Sequence, residues 1–315
     1  MNRPVSVSGL IGNTPLVRIS PSLYEGNSSL HVKLEGTNPF GSHKDRTGLS
    51  MIEQAEKDAD LTKKIVLSFT SGNTGRALAP LCKERGYKLT LTVPEIIAKD
   101  TIKFIESYGA KIVEPYRTTE DARYIAIKMQ EEHPEKYHLL DQYDSRANIR
   151  AHFKTLEEIL NQMDLPPTHL VVGIGTAGLI MGIAEGSKKK KLFTRIIGVY
   201  PALQEDLLGH RIIGLKDLEN EKRPKNLNLE YVDGLIKVTT SEAYSASIHL
   251  MKGGFPRLLG PSSGAVVAAM MKLAREVKNA RIVGISPDFG ELYLPMFEQL
   301  AKKGLIEKYT YQSSN

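Results

Sequence analysis

Short runs of β-branched and apolar residues, each bounded by turn residues, recur along the chain at 31–34, 64–69, 88–93, 111–113, 138–141, 169–173, 195–199, 235–238 and 281–285. Between them, segments such as 44–56, 101–108, 153–162 and 265–277 space their apolar residues three and four apart, the signature of amphipathic helices. This alternation predicts an α/β fold with largely parallel sheets. Four or five of the strands precede a turn at Arg146-Ala147-Asn148 and a second strand–helix series follows it, so two sheets are expected. No internal repeat is visible. The polar stretch 216–228 reads as a surface loop, and 311–315 as a frayed end.

Composition narrows the functional classes. A length of 315 residues with 41% hydrophobic content is enough for one large or two ordinary domains. No run of eighteen apolar residues occurs, and residues 1–11 lack the basic start and apolar middle of a secretory signal, so a cytoplasmic protein with no membrane span is expected. The single cysteine, Cys82, excludes an internal disulfide framework and sits in an apolar stretch as a core thiol would. The net charge of +6 is diffuse; its one dense run, Lys188 to Lys191, follows a predicted helix, where the dipole favours cations. No nucleic-acid surface is expected from it. Nor do the eight histidines pair at metal-ligand spacing, so no metal site is expected.

Three glycine-containing loops carry the candidate chemistry. Gly173-Ile174-Gly175-Thr176-Ala177-Gly178 follows an apolar strand and opens a helix at Leu179. It fits the dinucleotide pattern, but the next strand ends in Tyr200-Pro201 instead of the acidic residue a ribose needs. What remains is an anion site at a helix N-terminus, with a plain packing turn as the alternative. Thr70-Ser71-Gly72-Asn73-Thr74-Gly75 gathers hydroxyls, an amide and N–H groups at another helix start, a receptor suited to a carboxylate. Gly260-Pro261-Ser262-Ser263-Gly264-Ala265 precedes a third helix, where its hydroxyls serve either as caps or as ligand contacts.

Lys44 lies just inside a helix for which Ser42 is the expected N-cap. The dipole disfavours a cation in a first turn and thereby favours the neutral amine, the nucleophile required for a Schiff base. A surface lysine is the alternative.

Together these segments resemble the cysteine synthase branch of fold-type II pyridoxal-phosphate enzymes, over residues 10–294. The family's entry motif is matched by Leu10-Ile11-Gly12-Asn13-Thr14-Pro15-Leu16-Val17, its lysine segment by Gly41-Ser42-His43-Lys44-Asp45-Arg46, and its asparagine loop by Thr70 to Gly75. Pro94-Glu95, Tyr108-Gly109-Ala110, Asp141-Gln142-Tyr143, Ser262-Ser263-Gly264-Ala265 and Pro287-Asp288-Phe289-Gly290-Glu291 extend the match in the family's order.

The resemblance implies a two-domain fold like that of tryptophan synthase β chains, each domain a mostly parallel twisted sheet covered by helices. The larger, cofactor-binding domain would comprise 1–37 and 147–315, and a smaller mobile domain 38–146. It implies pyridoxal 5'-phosphate as cofactor, with Lys44 as its Schiff-base lysine and the mover of the α-proton. Asn73 would face the ring oxygen, Gly175, Thr176, Ala177, Gly178 and Leu179 the phosphate, and Ser262 the pyridine nitrogen. Thr70, Ser71, Gly72, Thr74 and Gln142 would take the substrate carboxylate. The implied reaction replaces the leaving group of O-acetylserine or O-phosphoserine by sulfide to form cysteine, in a homodimer. Homocysteine or an amine as nucleophile, or deamination of serine or threonine, are the alternatives; a non-enzymatic one is a module that grips the C-terminal peptide of a partner.

Three departures stand out. Leu179 occupies the position of the phosphate loop's closing threonine. His43, where the family has an apolar residue, resembles the histidine of tryptophan synthase β chains that approaches the phosphate. The charged 215–222 segment replaces a glycine-rich one near the substrate amino group and reads either as a specificity element or as a solvated excursion.

Overall fold

The computed structural model describes residues 6–204, 207, 210 and 212–308; the 311–315 tail lies outside them. Strands β1 (Leu16–Arg18), β2 (Ser29–Leu34), β7 (His169–Gly173), β8 (Arg195–Pro201), β9 (Gly234–Val238) and β10 (Arg281–Ser286) form one sheet in the order β1-β2-β10-β7-β8-β9. All its pairings are parallel except β1 with β2. Strands β3 (Ile65–Phe69), β4 (Lys88–Pro94), β5 (Lys111–Tyr116) and β6 (Tyr137–Leu140) form a second, wholly parallel sheet in the order β5-β4-β3-β6. The first two strands thus join those that follow residue 146.

Both sheets are covered on two faces, which explains why their strands read as unbroken apolar runs. In β7, Leu170 and Val172 point into a core built with α6 (Phe153–Asn161) and α7 (Gly178–Lys189), while Val171 points to the opposite core under α8 (Thr240–Lys252) and α9 (Pro261–Glu276). In the smaller sheet, Val66 and Leu91 pack against Met51 and Ile52 of α1 (Lys44–Asp58) and Leu78 and Leu81 of α2 (Asn73–Arg85). Leu67 and Phe69 face Ala122 and Ala126 of α4 (Thr119–Glu132). Cys82 is buried on α2, where burial pushes its thiol up to about 12. Among the described residues no helix is long and apolar enough to cross a membrane.

Two local expectations are corrected. The Arg146-Ala147-Asn148 turn is a short helix, α5 (Arg146–Arg150). The start of the 216–228 loop is no solvated excursion: Leu215, Lys216, Asp217 and Leu218 are all buried. The Lys216 N–H donates to the carbonyl of Ile174 at 2.8 Å, its ammonium pairs with Glu120 of α4 and with Glu221, and it lies 5.4 Å from the Tyr143 ring centroid. The Lys216 charge therefore ties the start of this segment to α4.

The two sheets are joined beneath Lys44 by a buried charge cluster. Arg46 donates to both oxygens of Glu35 at 2.7 and 2.9 Å and to both of Glu158 at 2.8 and 2.7 Å. Lys33 pairs with Glu158 at 2.8 Å and donates to the carbonyl of Thr14 at 2.5 Å. Two cations and two carboxylates balance, so each buried charge has a partner. Burial alone would push the Glu158 carboxyl up, but its bonds from Arg46 and Lys33 outweigh this and hold it down at about 2.

Candidate active site

Lys44 is the first residue of α1, in the first turn anticipated for it. His43, not Ser42, is the N-cap residue, although Ser42 Oγ accepts the Lys44 N–H at 3.2 Å. The Lys44 Nζ lies 2.6 Å from His43 Nε2. Burial lowers the amine to about 8, against a partly opposing pull from the Asp288 carboxylate. His43 is buried and held well below the usual imidazole range by desolvation and by the Lys44 charge. Its Nδ1 is buried with no hydrogen-bond partner, an exposed need in the middle of the site.

The Thr70 loop is built from its own hydroxyls. Thr70, fully buried, accepts the N–H groups of Gly72 and Gly75 at 2.9 Å each, which fixes the turn into α2. Thr74 donates to Gln142 Oε1 at 2.8 Å, and Gln142 Nε2 donates to the carbonyl of Phe69 at 3.1 Å. Ser71 is exposed, while Gly72 and Asn73 are partly so. The Asn73 amide donates to Asp288 Oδ2 at 2.7 Å. The residues assigned to carboxylate recognition are therefore mutually bonded, with Ser71 at the open edge.

The phosphate-loop candidates gather at the start of α7. Gly175 passes the backbone of Gly214 so closely that a β-carbon would lie 2.3 Å from the Gly214 carbonyl oxygen, and Ser262 Oγ lies 3.6 Å from where a β-carbon of Gly214 would stand. Ser262 is thus brought beside the Gly175 turn across one residue. Ala177 takes a left-handed conformation at φ 63°. Gly178 opens the helix, whose first-turn N–H groups have no helical acceptor. The Leu179 side chain is buried in the apolar cluster of Ile149, Leu170 and Ile180, so at this position only the backbone N–H can contact an anion.

Asn148, His152 and Asp288 take no role from sequence pattern alone, yet they join these loops. Asn148 donates to Thr176 Oγ1 at 3.0 Å and to the carbonyl of Gln142 at 2.7 Å, and accepts from Thr47 Oγ1 at 3.0 Å. His152, fully buried, is hydrogen-bonded to the same Thr47 hydroxyl at 3.2 Å, and desolvation and the Lys44 charge hold it well below its usual range. The one local signal was a polar residue between Ala147 and Ile149, which suggests a buried amide but not its partners.

A cavity of about 680 Å³ lies elsewhere, lined by Arg146, Glu185, Lys188, Lys225 and Tyr231 among others. Most of its charges are paired, Arg146 with Glu185 and Lys225 with Asp144. The chemistry of the Lys44 cluster, not the size of a cleft, therefore selects the site.

Comparison with known proteins identifies the family. Residues 7–288 match the family model described as pyridoxal-phosphate dependent enzyme. The chain is 39% identical over 296 residues to the cysteine synthase of Aquifex aeolicus, covering 90% of this chain and 89% of that one. Its fold matches the crystal structure of cysteine synthase from Entamoeba histolytica with a TM-score of 0.86 and 29% identity, over 99% of this chain and 93% of that one. A crystal structure of O-ureido-L-serine synthase superposes with a TM-score of 0.82 and 29% identity, over 93% and 94% of the two chains. With its family match over residues 7–288 and 39% identity to a cysteine synthase along 90% of its length, the chain belongs to the pyridoxal-phosphate-dependent enzymes, in their cysteine synthase branch.

Proposed function

We propose that the protein forms cysteine from an O-activated serine and sulfide, with Lys44 as the residue that carries pyridoxal phosphate. The observation that carries this reading is the Lys44 amine in the first turn of α1, 2.6 Å from His43 Nε2, where burial lowers its pKa and favours the neutral nucleophile. The site fits the cofactor on its own terms. The α7 start offers N–H groups without helical acceptors at a turn where Gly175 and Gly178 have no room for a β-carbon, and His43 Nδ1 is a buried polar atom without a partner near the amine. Bound there, the cofactor supplies the electron sink that makes an amino acid's Cα proton labile and lets its β-substituent leave.

The protein's part is binding, orientation and proton handling. Gly175 to Gly178 and His43 hold the phosphate, and Asn73 and Ser262 address the ring. Leu179 joins the phosphate loop through its backbone N–H, its side chain adding apolar packing. Ser71, Gly72 and Thr74 receive the substrate carboxylate with Thr70 and Gln142, whose own bonds keep the loop from reorganising around it. Lys44 Nζ would hold the cofactor and, as the neutral amine beside the substrate, would move the Cα proton. The 38–146 unit closes over the substrate and excludes water. From the family we carry over a homodimer, a cytoplasmic setting and the capture of a partner's C-terminal carboxylate on the Thr70 loop.

The test offers purified protein O-acetylserine, O-phosphoserine or serine, each with sulfide, and measures cysteine. Cysteine from an activated serine supports the reading; none from either activated donor contradicts it.

A further inference from the structure

Asp288 sits where the lysine turn, the asparagine loop and the serine helix meet. Its Oδ2 accepts from Asn73 Nδ2 at 2.7 Å and from the Tyr293 hydroxyl at 2.6 Å. Its backbone N–H takes Ser263 Oγ at 3.2 Å, and the same hydroxyl donates to its carbonyl at 2.8 Å, next to Ser262. An antiparallel bridge joins Asp288 to Ser42, and the His43 N–H donates to the carbonyl of Pro287 at 3.0 Å, so the residues before Lys44 are pinned to this turn. The side chain is 2% exposed and its Oδ1 has no hydrogen-bond partner.

A buried carboxylate whose Oδ2 accepts two hydrogen bonds and whose Oδ1 accepts none favours a cation nearby, and Lys44, on the turn bonded to Pro287 and Asp288, is the cation whose charge acts on it. We propose that Asp288 is a positioning residue for the reaction: it orients the Asn73 amide and serves as counter-ion to the Lys44 ammonium whenever that amine is free of the cofactor. This rests on Lys44 being the cofactor-bearing lysine. The carboxylate gives the released amine a place to hold its proton, and the Asn73 bond leaves that amide's second N–H to address the ring.

The groups around Asp288 are few. Lys44 and His43 come from the lysine turn, Tyr293 from the 3-10 turn Gly290–Tyr293 and Asn73 from α2, while α9 contributes only the Ser263 hydroxyl. Arg76 of α2 acts on Tyr293, one step away. Burial raises the Asp288 carboxyl to about 6, restrained by bonds from Tyr293 and Asn73 and by the Lys44 charge, so it is mostly ionised at pH 7.

The test follows the rate at which cofactor-free protein takes up pyridoxal phosphate, read by the growth of its visible absorbance as a function of pH. Losing the facing negative charge lowers the Lys44 pKa, so in Asp288→Asn the profile moves to lower pH by roughly one unit or more. Tyr293→Phe, which removes a hydrogen bond but no charge, leaves it in place. An Asp288→Asn profile that superposes on the wild type overturns the proposal. If that variant does not fold, Asp288→Ser replaces it, and failure of both to fold makes the residue structural and also overturns the proposal. Wild-type protein that takes up no cofactor would instead sink the underlying reading.

Discussion

Asn148 occupies the space a β-carbon on Gly178 would need: such an atom would lie 2.1 Å from Asn148 Oδ1. Because Asn148 also bonds Thr47, Thr176 and the carbonyl of Gln142, it cannot move without disturbing the lysine helix and both loops. Gly178→Ala should therefore keep the fold and weaken cofactor binding. Overpacking of about 1–3 kcal/mol corresponds to roughly five- to 150-fold in affinity. Titration of the cofactor-free variant with pyridoxal phosphate measures it, and unchanged affinity would show that the contact is soft.

Glu158 is the shared partner of Arg46 and Lys33. Replacing it by glutamine leaves two buried cations short of one charge, so Glu158→Gln should lose about 3 kcal/mol in denaturant unfolding at pH 7. The pH dependence has a definite sign. A carboxyl held at about 2 in the fold, against 4.5 when free, stabilises fully above 4.5 and progressively less as pH falls towards 2. Wild type should lose stability relative to the variant across that window, and a parallel pair of curves would contradict the assignment.

Ala177 holds φ 63°, a conformation that costs a non-glycine residue about 1–2 kcal/mol, whereas glycine loses about 0.5–1 kcal/mol through the unfolded chain. Ala177→Gly should thus gain up to about 1 kcal/mol in thermal or denaturant unfolding. A loss would mean that the alanine methyl earns its place by packing in the cluster around Ile180.

The larger outlines were legible because they rest on local periodicity. β7 shows itself because both of its faces are apolar, and α1 because its apolar residues recur at helical spacing. β1 was not legible: three residues, Leu16 to Arg18, become a strand only by pairing with β2. Lys44 stood out as a cation in the wrong turn of a helix, and the loops at Thr70 and Gly173 stood out by composition.

The residues that join these parts were invisible for a physical reason. Arg46 meets Glu158 across 112 positions, and Asn73 meets Asp288 across 215, so no window of sequence contains both partners. The 215–218 segment misled for a related reason. Lys216 is buried because Glu120 and Glu221 accompany it, and burial of a paired charge leaves no trace in hydropathy.

The central claim is that Lys44 carries the cofactor. Protein loaded with pyridoxal phosphate, reduced with borohydride and digested, should yield one peptide bearing the reduced cofactor, with the modification on Lys44 by mass spectrometry. Lys44→Ala should yield none. A label on another lysine, or none on loaded wild-type protein, would contradict the account.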